Sequence, residues 1–521
     1  MRRIDGARSV ACAVACGVLI ALGGAPLSWS FATLLAPGAL LLALEPRPGH
    51  VVTAGRAVML GLVAGMVVNA IVEGWIVGLL MDFASFVFPA GLAVGALLWF
   101  GESLPYMAGA LFAALLMRRG APGWIAVPAS LTVAASIAPR LFVWRYGVSQ
   151  LGWLPYAQIA DLGGLALVDL CVALVSCGLI DFLRHRRRPA LIASVLALAL
   201  PPLYGAIRIS QIHAAREAAP SLVVGVVQPN VAIFDKHDPR LFYAQLVDQR
   251  ASTRALEAAG AELVLWPETA YRYPILRTDT RDRDGNLALL ADGVHGPLLV
   301  GVVTTDGPPS TFPAYDAAGR IIGSFRAARG EHYNSAIAID RDGRIVGVAD
   351  KVQLLAFGEY TPLWEEIELL QQFPRGMTRG RGIQSVSIAG ARIGVLNCYE
   401  DLLYEHVRWQ AHADPDFWAN LTNNTWFGDT NAPYLHHQNA RMRAIETRRD
   451  LVRAVNSGVS GLVAATGEDE VTTGTFERAT FLATVRRLPG RTLYVTIGDL
   501  VTPLCAAWML AFAWVRRRSA S

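Results

Sequence analysis

One cysteine of the chain, Cys398, stands where a thiol could act as a nucleophile. The apolar run 391–398 is typical of a β-strand, and the acidic residues Glu400 and Asp401 indicate the start of a helix. A thiol on such a strand-to-helix turn is expected to be exposed. The N–H groups of a helix start favour the thiolate, which is the reactive form. Taken alone, such a residue is more often a small cysteine buried in a core.

Two further residues follow apolar runs, and their chemistry complements that of a thiol. The run 261–266 leads through Pro267 to Glu268, and a predicted hairpin over 334–349 leads to Lys351. A carboxylate can accept the thiol proton, and an ammonium group can stabilise the oxyanion that forms when a thiolate attacks a carbonyl. Singly, Glu268 would be a loop carboxylate and Lys351 a solvated surface residue. Together with Cys398, they predict covalent acyl chemistry.

The elements that would position these residues alternate between strand and helix. Strand patterns at 221–228, 261–266 and 297–304 are separated by a helical stretch and other connections, so an α/β domain is expected over 220–495. No metal-ligand spacing stands out, because His436 and His437 lie on a polar helix and are expected to be solvated or structural. Neither a metal nor another cofactor is predicted.

The rest of the chain is too apolar for a soluble protein. Hydrophobic residues make up 53% of the 521 residues, the mean hydropathy is +0.37, and the apolar stretches are long enough to cross a bilayer core of about 30 Å. They predict a membrane domain of about seven helices over 1–215, and a C-terminal helix with a basic tail over 499–521. The eight predicted spans are 10–25, 27–44, 57–80, 87–117, 122–142, 161–183, 190–209 and 499–515.

The arginine clusters predict the orientation, since basic residues favour the cytoplasmic side. With eight spans, these arginine clusters fall on one side of the membrane. They are the N-terminal arginines, the clusters that follow the second, fourth and sixth spans, and the final triplet 516–518. The 220–495 domain then lies on the opposite, periplasmic face, although Arg140 and Arg145 also fall there.

Cys398 is the only cysteine outside the predicted spans, and an unpaired cysteine in an oxidising compartment indicates a reactive thiol. The membrane-side arginines account for the net charge of +4, so nucleic-acid binding is not expected.

Further sequence blocks accompany these three residues. They are 152–153, 158–161, 228–230, 265–268, 333–335, Lys351 with 357–360, 398–400, 424–429, 440–446 and 456–458. Together these blocks resemble the nitrilase superfamily and, given the membrane spans, its membrane-embedded branch, the apolipoprotein N-acyltransferases. The resemblance extends over essentially the whole chain.

The resemblance implies an αββα sandwich beside the membrane helices, and a ping-pong acyl transfer. Cys398 would take a fatty acyl chain from a phospholipid as a thioester and pass it to the free α-amino group of a diacylglyceryl-modified cysteine at a lipoprotein N-terminus. Glu268 would be the base and Lys351 the oxyanion partner. The protein would be a multi-pass, monomeric enzyme of the bacterial inner membrane, performing the last step of lipoprotein maturation.

The resemblance also implies supporting residues. Glu359 and Glu400 would orient Lys351 and support the site, and Tyr399 would position the intermediate. Because both substrates carry acyl chains, an apolar entrance is expected, although each aromatic candidate could equally belong to a core. The candidates for substrate binding are Trp426, Phe427, Asn334, Glu446 and Phe357, with Trp153 as a further candidate for the entrance.

Three departures from the family pattern concern substrate-facing loops. Ala356 occupies the position of a usual proline, Asn397 replaces an apolar residue before the cysteine, and the segment 231–240 lacks an expected tryptophan, with Phe234 nearby. They bear on the choice of acyl donor more than on the chemistry.

Two other classes of protein would share parts of this pattern. A membrane-anchored amidase or nitrilase would use the same three residues on a soluble amide, but the eight spans and the blocks over 424–446 count against it. A non-catalytic lipoprotein-binding relative would not need Glu268, Lys351 and Cys398 all to be present.

Overall fold

The computed structural model describes residues 2–367, 371 and 375–518. Met1 and residues 519–521, at the ends of the two predicted membrane regions, lie outside the described residues. The chain forms two compact units. The helical unit comprises residues up to 212, 430–446 and from 492 onward, and the α/β unit comprises 213–429 and 447–491.

The helices account for most of the helical unit and for the connections in the α/β unit. The α-helices of the described residues are α1 (Arg2–Ala21), α2 (Ser30–Leu44), α3 (Ala54–Val72), α4 (Trp75–Phe83), α5 (Phe88–Glu102), α6 (Leu104–Arg118), α7 (Gly123–Ile137), α8 (Leu154–Ala157), α9 (Ala160–His185), α10 (Arg188–Ala218), α11 (Phe242–Ala258), α12 (Tyr404–Gln410), α13 (Ala432–Thr447), α14 (Leu493–Ile497) and α15 (Val501–Arg518).

The helical unit contains segments with the length and composition of membrane spans. Among the described residues, the four that are long and apolar enough are Ala54–Val72, Phe88–Arg118, Ala160–His185 and Arg188–Ala218. Shorter apolar helices lie at Gly6–Ala21, Ser30–Leu44, Gly123–Ile137 and Val501–Arg516. These helices are compatible with a membrane domain, and the count of eight crossings stays a prediction.

Helix α13 belongs to the helical unit, although the sequence predicts one continuous domain over 220–495. Its side chains Leu435, Met442 and Ile445 are buried in the same apolar cluster as those of the N-terminal helices. Gln438 donates to the carbonyl of Gly23 at 3.1 Å and accepts from the amide of Ala25 at 3.2 Å. The apolar and hydrogen-bonding faces of α13 therefore both find partners among the N-terminal helices and loops.

The α/β unit is built on two six-stranded sheets and a separate hairpin. The strand orders of the two sheets are β14-β1-β2-β3-β6-β7 and β13-β12-β11-β10-β9-β8, and β4 pairs with β5 in the hairpin. The strands are β1 (Ser221–Gln228), β2 (Leu263–Leu276), β3 (Leu298–Asp306), β4 (Pro309–Tyr315), β5 (Ile321–Ala328), β6 (Glu331–Ile339), β7 (Ile345–Asp350), β8 (Ser385–Ile388), β9 (Ala391–Asn397), β10 (Phe417–Thr422), β11 (Leu451–Val455), β12 (Gly461–Val463), β13 (Asp469–Thr472) and β14 (Ala479–Arg486).

The two sheets pack face to face, because their central strands carry apolar residues on both faces. Val224 and Leu265 of the first sheet share a buried cluster with Val395 and Leu421 of the second. The opposite face of the first sheet packs against α11, and Trp266 of β2 is buried in the apolar cluster that they share. Parallel pairing of β1 with β2 and of β9 with β10 is typical of strands buried on both sides. The predicted α/β sandwich is confirmed.

Candidate active site

The three residues singled out by chemistry lie at strand ends or irregularities of the two sheets. The parallel pairing of β2 with β3 is interrupted between Trp266 and Tyr271, and Glu268 lies in this interruption. Lys351 directly follows β7, and Cys398 directly follows β9. The interruption at Pro267 and Glu268 is local, since β2 resumes pairing with β3 at Tyr271.

Glu268 and Lys351 form a buried ion pair together with two further side chains. The Lys351 Nζ atom lies 3.3 Å from Oε1 of Glu268 and 2.8 Å from the carboxylate of Glu359. The amide nitrogen of Asn334 donates to both carboxylates, at 2.7 Å to Glu268 and 2.9 Å to Glu359. Lys351 is 2% exposed and Glu268 7%. One ammonium group and one amide are thus shared between two carboxylates.

Cys398 joins this cluster through its thiol. The thiol lies beside the carboxylate of Glu268 and the backbone N–H of Asn423, and both act on its ionisation. Cys398 has a left-handed backbone with φ of 50°, uncommon for a residue other than glycine. It opens the short 3₁₀ turn Cys398–Leu402 and is half-buried rather than exposed.

The charges of the cluster stabilise one another. Burial on its own raises the pKa of Glu268, but the positive charges of Lys351 and Lys236 hold this pKa below its usual value. Burial likewise disfavours the charged form of Lys351, but Glu268 and Glu359 keep its pKa well above the usual value. At neutral pH the site therefore holds a carboxylate base and an ammonium group side by side.

The pKa of the Cys398 thiol differs from the prediction that the N–H groups of a helix start favour the thiolate. Burial and the negative charge of Glu268 raise the pKa of Cys398, against the opposing effects of Lys351 and the Asn423 N–H. The expectation of a favoured thiolate is wrong, because a five-residue 3₁₀ turn offers little helix dipole and burial outweighs it. The resting site holds a neutral thiol, whose proton has to be taken up by a base during attack.

Glu400 acts on the backbone rather than on Lys351 itself. Its Oε1 accepts the N–H groups of Val352 at 2.7 Å and Gln353 at 3.0 Å, and its Oε2 accepts that of Asn397 at 2.8 Å. One carboxylate thereby ties the segment after Lys351 to the strand end before Cys398. Asn397, one of the departures, takes part in this arrangement through its backbone N–H, while its side-chain amide donates to the carbonyl of Ala349 at 3.4 Å.

The other predicted site residues of the α/β unit differ in how far they are buried. Asn334 belongs to the buried cluster, and Phe357, next to the loop of Glu359, is 78% exposed. Trp426 is 40% exposed, with its ring centroid 6.2 Å from that of His237. Phe427 and Tyr399 are half-buried. Their assignments to substrate binding and to positioning the intermediate stay predictions.

Glu446 lies in the helical unit, where its contacts are structural. Helix α9 is interrupted at Gly163 and Gly164, and Oε1 of Glu446 accepts the freed N–H of Leu165 at 3.1 Å. The other oxygen pairs with Arg443 at 3.1 Å. These contacts give the carboxylate a role without a substrate, and its predicted role in substrate binding remains to be tested.

Several polar residues that support the site were missed by the sequence reasoning. The amide of Asn420 donates to the carbonyl of Cys398 at 3.1 Å, and Arg453 pairs with Asp401 in the turn after the cysteine. Asn420 and Arg453 each stand inside a fully buried strand, and a polar residue in such a run was the available signal. Lys236 was also missed.

Comparison with known proteins agrees with the architecture. The carbon-nitrogen hydrolase family model matches residues 224–488, which places the α/β unit in this class of protein. The model of the apolipoprotein N-acyltransferase N-terminal domain matches residues 16–178. An amidase from Nesterenkonia AN1, a nitrilase-superfamily protein of solved structure, is 16% identical over 55% of this chain and 97% of its own, with a TM-score of 0.37.

Two curated relatives match nearly the whole chain. An apolipoprotein N-acyltransferase from Azotobacter vinelandii is 31% identical over 97% of this chain and 95% of the relative. One from Geobacter metallireducens is 29% identical over 95% and 92%. The chain belongs to the apolipoprotein N-acyltransferase family.

Proposed function

We propose that this chain transfers a fatty acyl group from a phospholipid, through a thioester on Cys398, to the free α-amino group of a diacylglyceryl-modified cysteine at a lipoprotein N-terminus. The observation that carries this mechanism is the buried cluster in which Glu268 contacts both the Cys398 thiol and the Lys351 ammonium group. Family membership supports the choice of substrates.

In the first half-reaction, Glu268 accepts the proton of the Cys398 thiol as the sulfur attacks the ester carbonyl of the phospholipid. The negative charge that develops on the carbonyl oxygen is stabilised by the ammonium group of Lys351. Collapse of the tetrahedral intermediate breaks the ester C–O bond. The departing alkoxide takes the proton from Glu268, which leaves a lysophospholipid and the thioester.

In the second half-reaction, the neutral α-amine of the lipoprotein attacks the thioester carbonyl. Its extra proton passes to Glu268, and the C–S bond breaks as the amide forms. The Cys398 sulfur then recovers the proton from Glu268, which restores the resting site. Lys351 serves both oxyanions, and Glu359 holds it in place throughout.

Both substrates are anchored in a lipid bilayer, so the helical unit would hold the enzyme in the bacterial inner membrane. We assign residues 1–215 and 499–521 to the membrane and its cytoplasmic flanks, and the catalytic residues within 220–495 to the periplasmic face. The exposed side chains of Phe357 and Trp426 support an apolar entrance for acyl chains. A reporter fused after Leu222 should be active only as an exported enzyme, and one fused after Arg518 only as a cytoplasmic one.

The acyl-enzyme provides the decisive experiment. The wild-type enzyme, incubated with phospholipid alone, should gain the mass of one acyl chain on the Cys398 peptide, and hydroxylamine should remove it. Cys398→Ala should gain nothing, and Cys398→Ser should fail or react very slowly, because a carboxylate base deprotonates an alcohol far less readily than a thiol. A diacylglyceryl peptide should discharge the thioester only if its N-terminal amine is free.

Two outcomes would contradict this mechanism. An acyl adduct that persists on Cys398→Ala would show that Cys398 is not the nucleophile. Transfer to an N-blocked peptide would show that the second half-reaction is not the one proposed. Turnover of a lipid-free amide without any lipid transfer would instead favour an amidase. A chain that binds lipoprotein and forms no adduct would be a binding protein.

A further inference from the structure

Lysine is almost absent from this chain, and the two positions where it occurs are informative. Only Lys236 and Lys351 are lysines among the 46 lysine and arginine residues. Wherever a positive charge on the surface suffices, the chain uses arginine. An ammonium group differs from a guanidinium in being compact and in losing its proton readily when buried. Both lysines are buried, Lys236 at 3% exposure and Lys351 at 2%.

Lys236 reaches the turn that carries the base Glu268. Its Nζ atom donates to the backbone carbonyl of Glu268 at 2.8 Å and to the hydroxyl of Thr269 at 3.0 Å. The other carbonyl of this turn, that of Thr269, accepts from Arg272 at 3.2 Å. Two cationic side chains therefore hold the two consecutive carbonyl groups of the turn.

The turn needs such support because of its backbone. Thr269 adopts a left-handed conformation with φ of 48°, which is an outlier for a β-branched residue. A conformation of this kind persists only where the surroundings fix it. It lies within the interruption of the β2–β3 pairing, so the neighbouring strand does not hold it, and side-chain contacts have to.

The electrostatic environment of Lys236 agrees with its position. The groups that act on it are Arg272, Glu268 and Cys398; burial and Arg272 lower the pKa of Lys236 to about 7, whereas the other two raise it. In return, its positive charge lowers the pKa of Glu268.

We propose that Lys236 is a positioning residue for the general base: its ammonium group holds the left-handed turn at Glu268 and Thr269, and thereby presents the Glu268 carboxylate to Cys398 while stabilising its charge. The inference rests on the proposed function, in which Glu268 deprotonates Cys398. It assigns to the segment 231–240 a part in the chemistry of the site.

The test measures the pH dependence of Cys398 alkylation by iodoacetamide in the full-length enzyme, followed by mass spectrometry of the Cys398 peptide. Lys236→Met keeps the length of the side chain and removes its charge and donors. Without the positive charge, the carboxylate and the thiolate both become less favourable, so alkylation at pH 6, where Lys236 of the wild type is charged, should be about tenfold slower. The difference from the wild type should shrink above about pH 8, where the wild-type ammonium group has lost its proton. In acyl transfer, kcat should fall and the KM for phospholipid should stay unchanged.

Arg240→Met is the matched control. Arg240 is an exposed cation of the same segment and pairs with Asp238 at 2.6 Å. Its removal should leave both the alkylation profile and acyl transfer at the wild-type values. An equal shift in Arg240→Met would reduce the effect of Lys236 to that of general surface charge and would overturn the proposal.

A folded Lys236→Met with the wild-type alkylation profile would also overturn the proposal. If this variant does not fold, Thr269→Val decides, since it preserves shape and removes one acceptor of Lys236; alkylation about threefold slower is expected, and an unchanged rate counts against the proposal. Glu268→Gln separates the two levels of inference. If it forms the acyl-enzyme from phospholipid at the wild-type rate, the base assignment itself fails; if Glu268→Gln forms it slowly and Lys236→Met alkylates like the wild type, only the role of Lys236 fails.

Discussion

The α/β unit and the helical unit both bury charged side chains, but they partner them in different ways. In the helical unit, each oxygen of Glu446 has a partner of its own, the N–H of Leu165 and the guanidinium of Arg443. The buried pair of Arg145 and Asp169 in the same unit is likewise completed by a backbone N–H. In each of these carboxylates, one oxygen accepts from a backbone N–H and the other pairs with a guanidinium group.

In the α/β unit, partners are shared instead. Glu268 and Glu359 both depend on the ammonium group of Lys351 and on the amide of Asn334. In the proposed mechanism, Lys351 keeps Glu359 as its counter-ion while Glu268 takes up the proton of Cys398, and so remains charged for the oxyanion. Shared partners allow a proton to move without leaving an isolated buried charge, which would cost several kcal/mol. The comparison separates a carboxylate that can act as a base from one that fixes a helix.

The strongest way to break this comparison is to remove the shared cation. Lys351→Met should reduce acyl-enzyme formation by at least about 10²–10³-fold, since the oxyanion loses its stabilising charge. It also leaves the carboxylates of Glu268 and Glu359 without the cation that they share, which should destabilise the α/β unit by about 3–5 kcal/mol. Thermal unfolding and the acylation rate would measure the two effects separately.

The destabilisation should depend on pH in a defined direction. In the wild type, the pKa of Glu268 is depressed, so its contribution to stability is present above the unfolded pKa of about 4.3 and is lost as pH falls through the folded pKa. The difference in melting temperature between wild type and Lys351→Met should therefore be large at pH 7 and shrink below about pH 4. A difference that is constant with pH would mean that the ion pair is not what stabilises the site.

Neutralising the counter-ion tests the sharing more finely. In Glu359→Gln, Glu268 is the one carboxylate left beside Lys351. Protonation of Glu268 during attack would then leave the ammonium group without a counter-ion. Turnover should fall by about 10² while the protein stays folded. Wild-type turnover would show that Glu359 is a surface carboxylate of its loop.

Glu400 should respond similarly, but through the backbone. In Glu400→Gln one oxygen acceptor is lost, and the segment after Lys351 is released from the strand end at Asn397. A tenfold to hundredfold loss of turnover is expected, in keeping with small misplacements of catalytic groups. Glu405 is an exposed carboxylate five residues further along, on α12, so Glu405→Gln is the control and should not change turnover.

The proximity of Glu268, Lys351 and Cys398 was predictable, because each follows an apolar run at a strand end. Apolar runs ending near Glu268 and Cys398 indicate two strands, and packed sheets bring such ends together. The thiol pKa was not predictable, since it depends on burial. Lys236 could not be placed either, because its segment has no periodicity and its contact depends on the left-handed turn at Thr269. Composition alone, with two lysines in the chain, carried the signal.

The place of α13 was also beyond the sequence. Its polar residues, including His436 and Arg443, read as the surface of an α/β domain, whereas the structure buries both in the helical unit. Burial of polar residues on a helix depends on partners that are distant in sequence, such as the broken helix α9. Periodicity cannot report such partners, and the match of 440–446 to the family pattern indicated importance without a role.

The smallest expected effect on turnover belongs to Glu446. Glu446→Gln keeps an oxygen for the N–H of Leu165 and loses the charge that faces Arg443, so it should lower the stability of the helical unit by about 1–3 kcal/mol. Because the carboxylate supports a helix break and takes no part in proton transfer, acyl transfer by the folded variant should keep the wild-type kcat and KM. A lower melting temperature with unchanged kinetics would distinguish Glu446 from Glu359, whose neutralisation should lower turnover. A raised KM for the lipoprotein substrate without loss of stability would instead return Glu446 to the substrate-binding role that the family resemblance implies.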